Sequence, residues 1–139
     1  MIRQRFHLTQ PYDWDVTCYY AVTHYEVEEI LNSMREAGAS DENLDRAYKN
    51  LSAGKMNTGL CYSGDHCSVL VISVASSGKQ FANSVFHEVH HLSTQIANTM
   101  GYDLNGEDVC YLAGEIAEKM YPVAGKYLCD CCRGNKYND

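Results

Sequence analysis

Ser77-Gly78-Lys79-Gln80-Phe81-Ala82-Asn83-Ser84-Val85-Phe86-His87-Glu88-Val89-His90-His91-Leu92-Ser93-Thr94-Gln95-Ile96-Ala97-Asn98-Thr99-Met100-Gly101 reads as one long amphipathic helix with both ends marked. Ser77 and Gln80 have the spacing of a capping box, in which each side chain satisfies a backbone N–H that the first turn leaves without a partner. Phe81, Val85, Val89, Leu92, Ile96 and Met100 recur at helical spacing as one apolar stripe, and Gly101 is the residue type that ends helices in the left-handed region. A stripe of that length needs an apolar surface to pack on. The nearly continuous apolar run Cys67 to Val74, just before the break at Ser76-Ser77-Gly78, predicts a buried strand that can supply it.

Outward from this pair, Gly59 to Ser63 predicts a further strand, joined to Cys67–Val74 through Gly64-Asp65-His66, where Gly-Asp supplies the turn chemistry. Downstream, Tyr102-Asp103-Leu104 is a loop, and Asn105 can cap a fourth helix that buries Val109, Leu112, Ala113, Ile116 and Met120. Near the start, Ile2, Gln4, Phe6 and Leu8 alternate with Arg3, Arg5 and His7, and Thr17 to Val22 is rich in aromatic and β-branched residues, so both predict short strands. A second capping box, Thr23-x-x-Glu26, opens a helix with Val27, Ile30, Leu31 and Met34 inward and Gly38 at its end. Ser40 or Asp41 caps the next, with Leu44, Ala47 and Leu51 inward and Gly54 as its stop. Strands and helices in this order predict an α+β fold in which the long helix is the third of about four.

The 139 residues, 45% of them hydrophobic, suffice for one domain, expected over residues 1–124, with a polar Cys-rich tail over 125–139. A net charge of −7 with scattered basic residues argues against a nucleic acid partner, because phosphate neutralisation needs clustered Lys and Arg. No apolar run approaches a membrane span, and Phe6-His7-Leu8-Thr9-Gln10 after the first arginines is no signal core, so a cytoplasmic chain starting at Met1 is expected. Seven cysteines, an odd set without an export signal, are then expected to be reduced.

The chemistry concentrates in His87-Glu88-Val89-His90-His91, an H-E-x-x-H motif. Residues four apart differ by only about 40° around a helix, so His87 and His91 can reach one cation from the same side. Glu88 lies beside them, placed to reach a water on the metal without displacing an imidazole. The alternative is a chance cluster on a solvated face. At this chain's His and Glu frequencies an accidental H-E-x-x-H arises in roughly one or two of every hundred such sequences, and fewer place it in a capped amphipathic helix behind an apolar strand. A catalytic zinc needs a third protein ligand, and the candidates are acids of the fourth helix. Glu107 is favoured, although an acid in a first helical turn is also favoured by the macrodipole, a role that suits Asp108. Glu115 and Glu118 are its rivals. Tyr111, one turn beyond Glu107, is a candidate oxyanion donor, and Gly114 on the same face would let the two helices approach closely.

These residues resemble the small zincin-like metallopeptidases, in particular short proteins of that type encoded by phages and mobile elements of gut bacteria. The likeness runs over about residues 56 to 116. It comprises Asn57-Thr58-Gly59-Leu60-Cys61-Tyr62-Ser63, the apolar strand, Phe81-Ala82-Asn83-Ser84 with the H-E-x-x-H motif, and Glu107-Asp108-Val109-Cys110-Tyr111-Leu112-Ala113-Gly114. It implies a mixed sheet whose edge strand lines a cleft, with Cys67–Val74 as that strand, and Glu107 as the metal ligand. It also implies zinc-dependent hydrolysis of a peptide or protein substrate with Glu88 as general base. A zinc-binding module without catalysis is the alternative, in which Cys110 or a tail cysteine closes the metal shell. Cys129-Asp130-Cys131-Cys132 matches neither a zinc ribbon nor C-x-x-C, and is expected to be a flexible tail with free thiols.

Overall fold

Alternation along Ile2–Leu8 becomes strand β1, and its partner β2 spans Trp14–Val22, three residues longer at its start than the aromatic run predicts. The computed structural model describes residues 1–23, 26–53 and 59–131. Gly54, Asn57, Thr58 and Cys132 of the sequence reading lie outside them. The remaining elements are α1 (Val27–Glu36), α2 (Asp41–Ser52), β3 (Leu60–Ser63), β4 (Cys67–Ser73), α3 (Gly78–Met100) and α4 (Glu107–Leu128). The sheet order is β1-β2-β4-β3, with β2 and β4 parallel and the outer pairs antiparallel. This is an α+β fold with a four-stranded mixed sheet and four helices.

Pleating sends alternate residues to opposite faces, and both faces are covered. Trp14, Val16, Cys18, Tyr20, Leu70 and Ile72 meet Phe81, Val89, Leu92 and Ile96 of α3 and Leu112, Ile116 and Met120 of α4. Tyr19, Val69 and Val71 on the other face meet Val27, Ile30, Leu31 and Met34 of α1 and Leu44, Ala47 and Leu51 of α2. The nearly continuous apolar reading of β4 thus reflects a central strand. β3 lies at one edge of the sheet, as β1 does at the other, so the expectation that Cys67–Val74 borders a cleft is corrected: β4 is hydrogen-bonded on both sides, and Leu60–Ser63 has one side unpaired among the described residues.

The helix ends follow the sequence in part. Ser77 accepts from the Gln80 N–H at 3.1 Å, but the Gln80 side chain turns to the Ser76 N–H rather than back to Ser77. Glu26 accepts from both the Thr23 N–H and hydroxyl, so that box is also half made. In the β3–β4 turn the left-handed residue is His66 (φ 53°), not the Gly-Asp pair. Its Nδ1–H donates to the Tyr12 carbonyl at 3.0 Å and its ring lies 4.9 Å from Trp14, contacts that offset the strain.

Helix α4 begins after Gly106, one residue later than an Asn105 cap implies, and runs through Pro122 to Leu128. Residues 125–128, assigned by sequence to a tail, are therefore helical. Buried Tyr127 packs on Phe81 with centroids 5.0 Å apart, and this burial outweighs the hydrogen bond lost at the proline. Beyond it, the Asp130 carboxylate accepts from the Gly78 N–H at 2.6 Å, capping α3 from the opposite end of the chain. A Cβ on Gly78 would stand 2.2 Å from the Leu128 carbonyl oxygen, so this close return needs glycine.

Candidate functional site

The motif helix divides by depth. His87, His90 and His91 are exposed, whereas Glu88 turns inward with 5% of its surface accessible. The His87 and His91 rings lie 4.9 Å apart and nearly perpendicular, on one outer flank of α3. Glu88 Oε1 is 3.9 Å from His87 Nε2. Its other oxygen, Oε2, is a buried side-chain atom without a hydrogen-bond partner among the described residues. Burial pushes the Glu88 carboxyl from its ordinary 4.5 up to about 7.

What makes room for that carboxyl is Gly59, where β3 begins: a Cβ there would stand 2.5 Å from Glu88 Oε1. In the sequence Gly59 marks only a strand start and part of the matched segment, because its partner lies 29 positions away. Farther along α3, Gln95 holds β3 again. Its Nε2–H donates to the Cys61 carbonyl at 3.4 Å, and its Oε1 accepts from the Cys61 thiol at 3.4 Å and from the Ser63 hydroxyl. Burial, then the charges of Glu88 and Cys18, push the Cys61 thiol far up, so it stays protonated. Neither Gln95 nor Cys61 stood out in the sequence. The pattern that could have found them is their place on facing sides of α3 and β3, which requires knowing that β3 is the neighbour.

No family model, curated protein or solved structure matches this chain.

The fourth-helix candidates stand apart from the histidines. Leu128 meets Gly78, so α4 returns antiparallel along α3, and at 1.5 Å per residue Glu107 is level with about Thr99, roughly 12 Å along the axis from His91. Glu107 is exposed as the first residue of α4, and Tyr111 is 74% exposed. Gly114 does not mediate close packing: nothing lies within 4 Å of where its Cβ would be. Glu115 and Asp108 lie near Tyr12, whose hydroxyl is pushed up by burial and by Tyr102 first, then by these two carboxylates. Glu118 is exposed. Among the described residues no three His, Cys, Asp or Glu side chains gather in metal-binding geometry. Cys110, Cys129 and Cys131 are exposed and form no disulfide among the described residues. A groove of about 530 Å³ on the opposite face of the sheet, lined by Arg5, Thr17, Cys67 and Glu36 among others, is remote from the motif.

The donor set suits a cation at the pair. Two imidazoles stand side by side at the surface, and behind them is a buried carboxyl with an orphaned oxygen, the kind of group that persists where a charge or a reacting proton answers it. Two protein ligands would leave several coordination positions for water and substrate.

Proposed function

We propose that this protein is a zinc-dependent peptidase of zincin type, with His87 and His91 as metal ligands and Glu88 as general base. The observation that carries the reading is Glu88: buried, with no partner for Oε2 among the described residues, and seated 3.9 Å from an imidazole that a helical turn pairs with a second. Bound there, zinc would supply Lewis acidity, which acidifies water and polarises a carbonyl. Glu88, raised to about 7, is matched near neutrality to take a proton on Oε1, the oxygen that faces His87, and later return it to the leaving amine. Glu107 remains the ligand that the zincin likeness favours, and reaching the pair would require the start of α4 to move.

The free edge of β3, running along the flank of α3 that carries Glu88, supports a polypeptide substrate. An extended chain can add there as a further strand, its backbone groups satisfying those left open at the edge. The alternative, a closed zinc staple between two helices, needs ligands from α4, and none reaches the histidines among the described residues. The net charge of −7 argues against a nucleic acid partner. Among the described residues no helix is long and apolar enough to cross a membrane.

The deciding experiment compares wild type with Glu88→Gln for zinc content and for hydrolysis of a pool of fluorogenic peptides. The expected result is about one zinc per chain in both and hydrolysis only in wild type. Well-folded wild type that takes up no zinc, or equal hydrolysis by both proteins, overturns the assignment.

A further inference from the structure

We propose that Gln95 is a positioning residue that holds the free edge of β3 at a set offset from His87 and His91. The inference rests on the peptidase reading for its consequence, but its physical content is a hydrogen-bond chain that stands without it.

β3 is four residues long and half-buried throughout, and among the described residues only one of its edges is paired. So short an edge strand owes its position to whatever else grips it. α3 grips it at two points seven residues apart on one helical face: Glu88 against Gly59, and Gln95 against Cys61 and Ser63. Gln95 follows His91 by one turn, so the offset between strand and histidines is set within a single turn of helix.

The direction of the second grip is fixed by donor chemistry. The Trp14 indole N–H can only donate, and it donates to Ser68 Oγ at 2.8 Å. The Cys61 carbonyl can only accept, so Gln95 turns Nε2–H to it and Oε1 to Ser63; the Ser63 proton then goes to Gln95 Oε1 and the Ser68 proton to Ser63 Oγ, 2.7 Å away. The chain therefore runs from Trp14 in β2 through β4 and β3 into α3, and it allows only one orientation of the Gln95 amide. Cys61 adds its thiol to the same oxygen. Gln95 is thus the one α3 side chain that both accepts from β3 and donates to it, and this double engagement resists sliding of the strand in either direction.

The test uses the full chain with Gln95→Met, which keeps length and loses the amide, and Ser63→Ala, which breaks the chain one link earlier. Both are checked for native helix content. Loss of such hydrogen bonds should raise amide exchange in Leu60–Ser63 by about tenfold in Gln95→Met and by less in Ser63→Ala, with β1 unchanged. Zinc affinity should stay within about twofold, since no proposed ligand is touched. With the fluorogenic peptide pool, KM should rise about tenfold with kcat nearly constant, as expected when uniform binding is lost. Unchanged exchange in both variants overturns the proposal, as does a zinc affinity that falls in step with KM, or increased exchange with unaltered KM. If wild type hydrolyses no peptide while Gln95→Met still frees β3, the peptidase reading fails and the grip of Gln95 on the strand stands.

Discussion

Replacing Glu88 with Gln should make the metal-free protein more stable above neutral pH, a gain that runs against the usual cost of altering a buried residue. In wild type the carboxyl is 5% exposed with one oxygen unpartnered among the described residues, and burial raises it from 4.5 to about 7. Because the folded value is raised, Glu88 contributes its full stability below about pH 4.5, where both states hold the proton. Between 4.5 and 7 the unfolded chain releases its proton while the folded one keeps it, and stability falls as pH rises. Above 7 the penalty is complete, at most about 3 kcal/mol at 1.36 kcal/mol per pH unit. Gln is nearly isosteric and carries no charge, so Glu88→Gln should be free of this dependence. Urea unfolding of both proteins in EDTA, from pH 4 to 8.5, gives a difference curve in which all other titrating groups cancel. The curve should rise toward Gln across the window by about 2 to 3 kcal/mol. Adding zinc should flatten it, because a nearby cation favours the ionised carboxylate. A flat curve in EDTA, or one that rises toward wild type, would refute the argument that Glu88 is held unpartnered in a desolvated seat.

His87→Ala or His91→Ala should each lower zinc affinity at least about tenfold, measured by competition with a chromogenic chelator, while His90→Ala should not. Glu107→Gln should change zinc affinity by no more than about twofold, the scale of a helix-start electrostatic term. A larger loss, absent in Glu115→Gln and Glu118→Gln, would mean that the start of α4 moves to the histidines when metal binds. Gly59→Ala should destabilise by about 1 to 3 kcal/mol in thermal unfolding, since the added Cβ meets Glu88 Oε1 at 2.5 Å. In a Glu88→Ala background most of that cost should vanish, and persistence of the full cost would place the clash elsewhere. Tyr127→Ala should cost about 3 to 5 kcal/mol, because the ring is buried against Phe81. A cost near zero would restore residues 125–131 to the status of a tail.

The two imidazoles were legible because their relation is local: four residues of helix bring them together whatever the rest of the chain does. The depth of Glu88 was not. One residue from an exposed histidine it turns through about 100° into the layer beneath, and whether that layer is water or protein depends on Gly59, far away in sequence. Glu107 was favoured as an acid of the fourth helix and by the zincin likeness; it follows His91 by sixteen positions, but α3 spends nine of them continuing to Met100, and the return helix starts at that far end. Sequence separation says little about distance once a straight helix intervenes.

The sequence by itself determined the local elements: both inward faces of α1 and α2, the capped length of α3, the alternation of β1, and the H-E-x-x-H pair. Each follows from a period or a cap that acts within a few residues. Only the tertiary structure decided that β4 is central and β3 the edge, that α4 continues past Pro122, and that Asp130 caps α3. A continuous apolar run cannot tell which neighbours cover it, and a proline's local cost cannot reveal that Tyr127 beyond it finds a core. The position of Gln95 has the same origin. An isolated polar residue on a helix carries no sign of what it will hold, and its role arises only because packing sets Cys61 and Ser63 within reach of its amide.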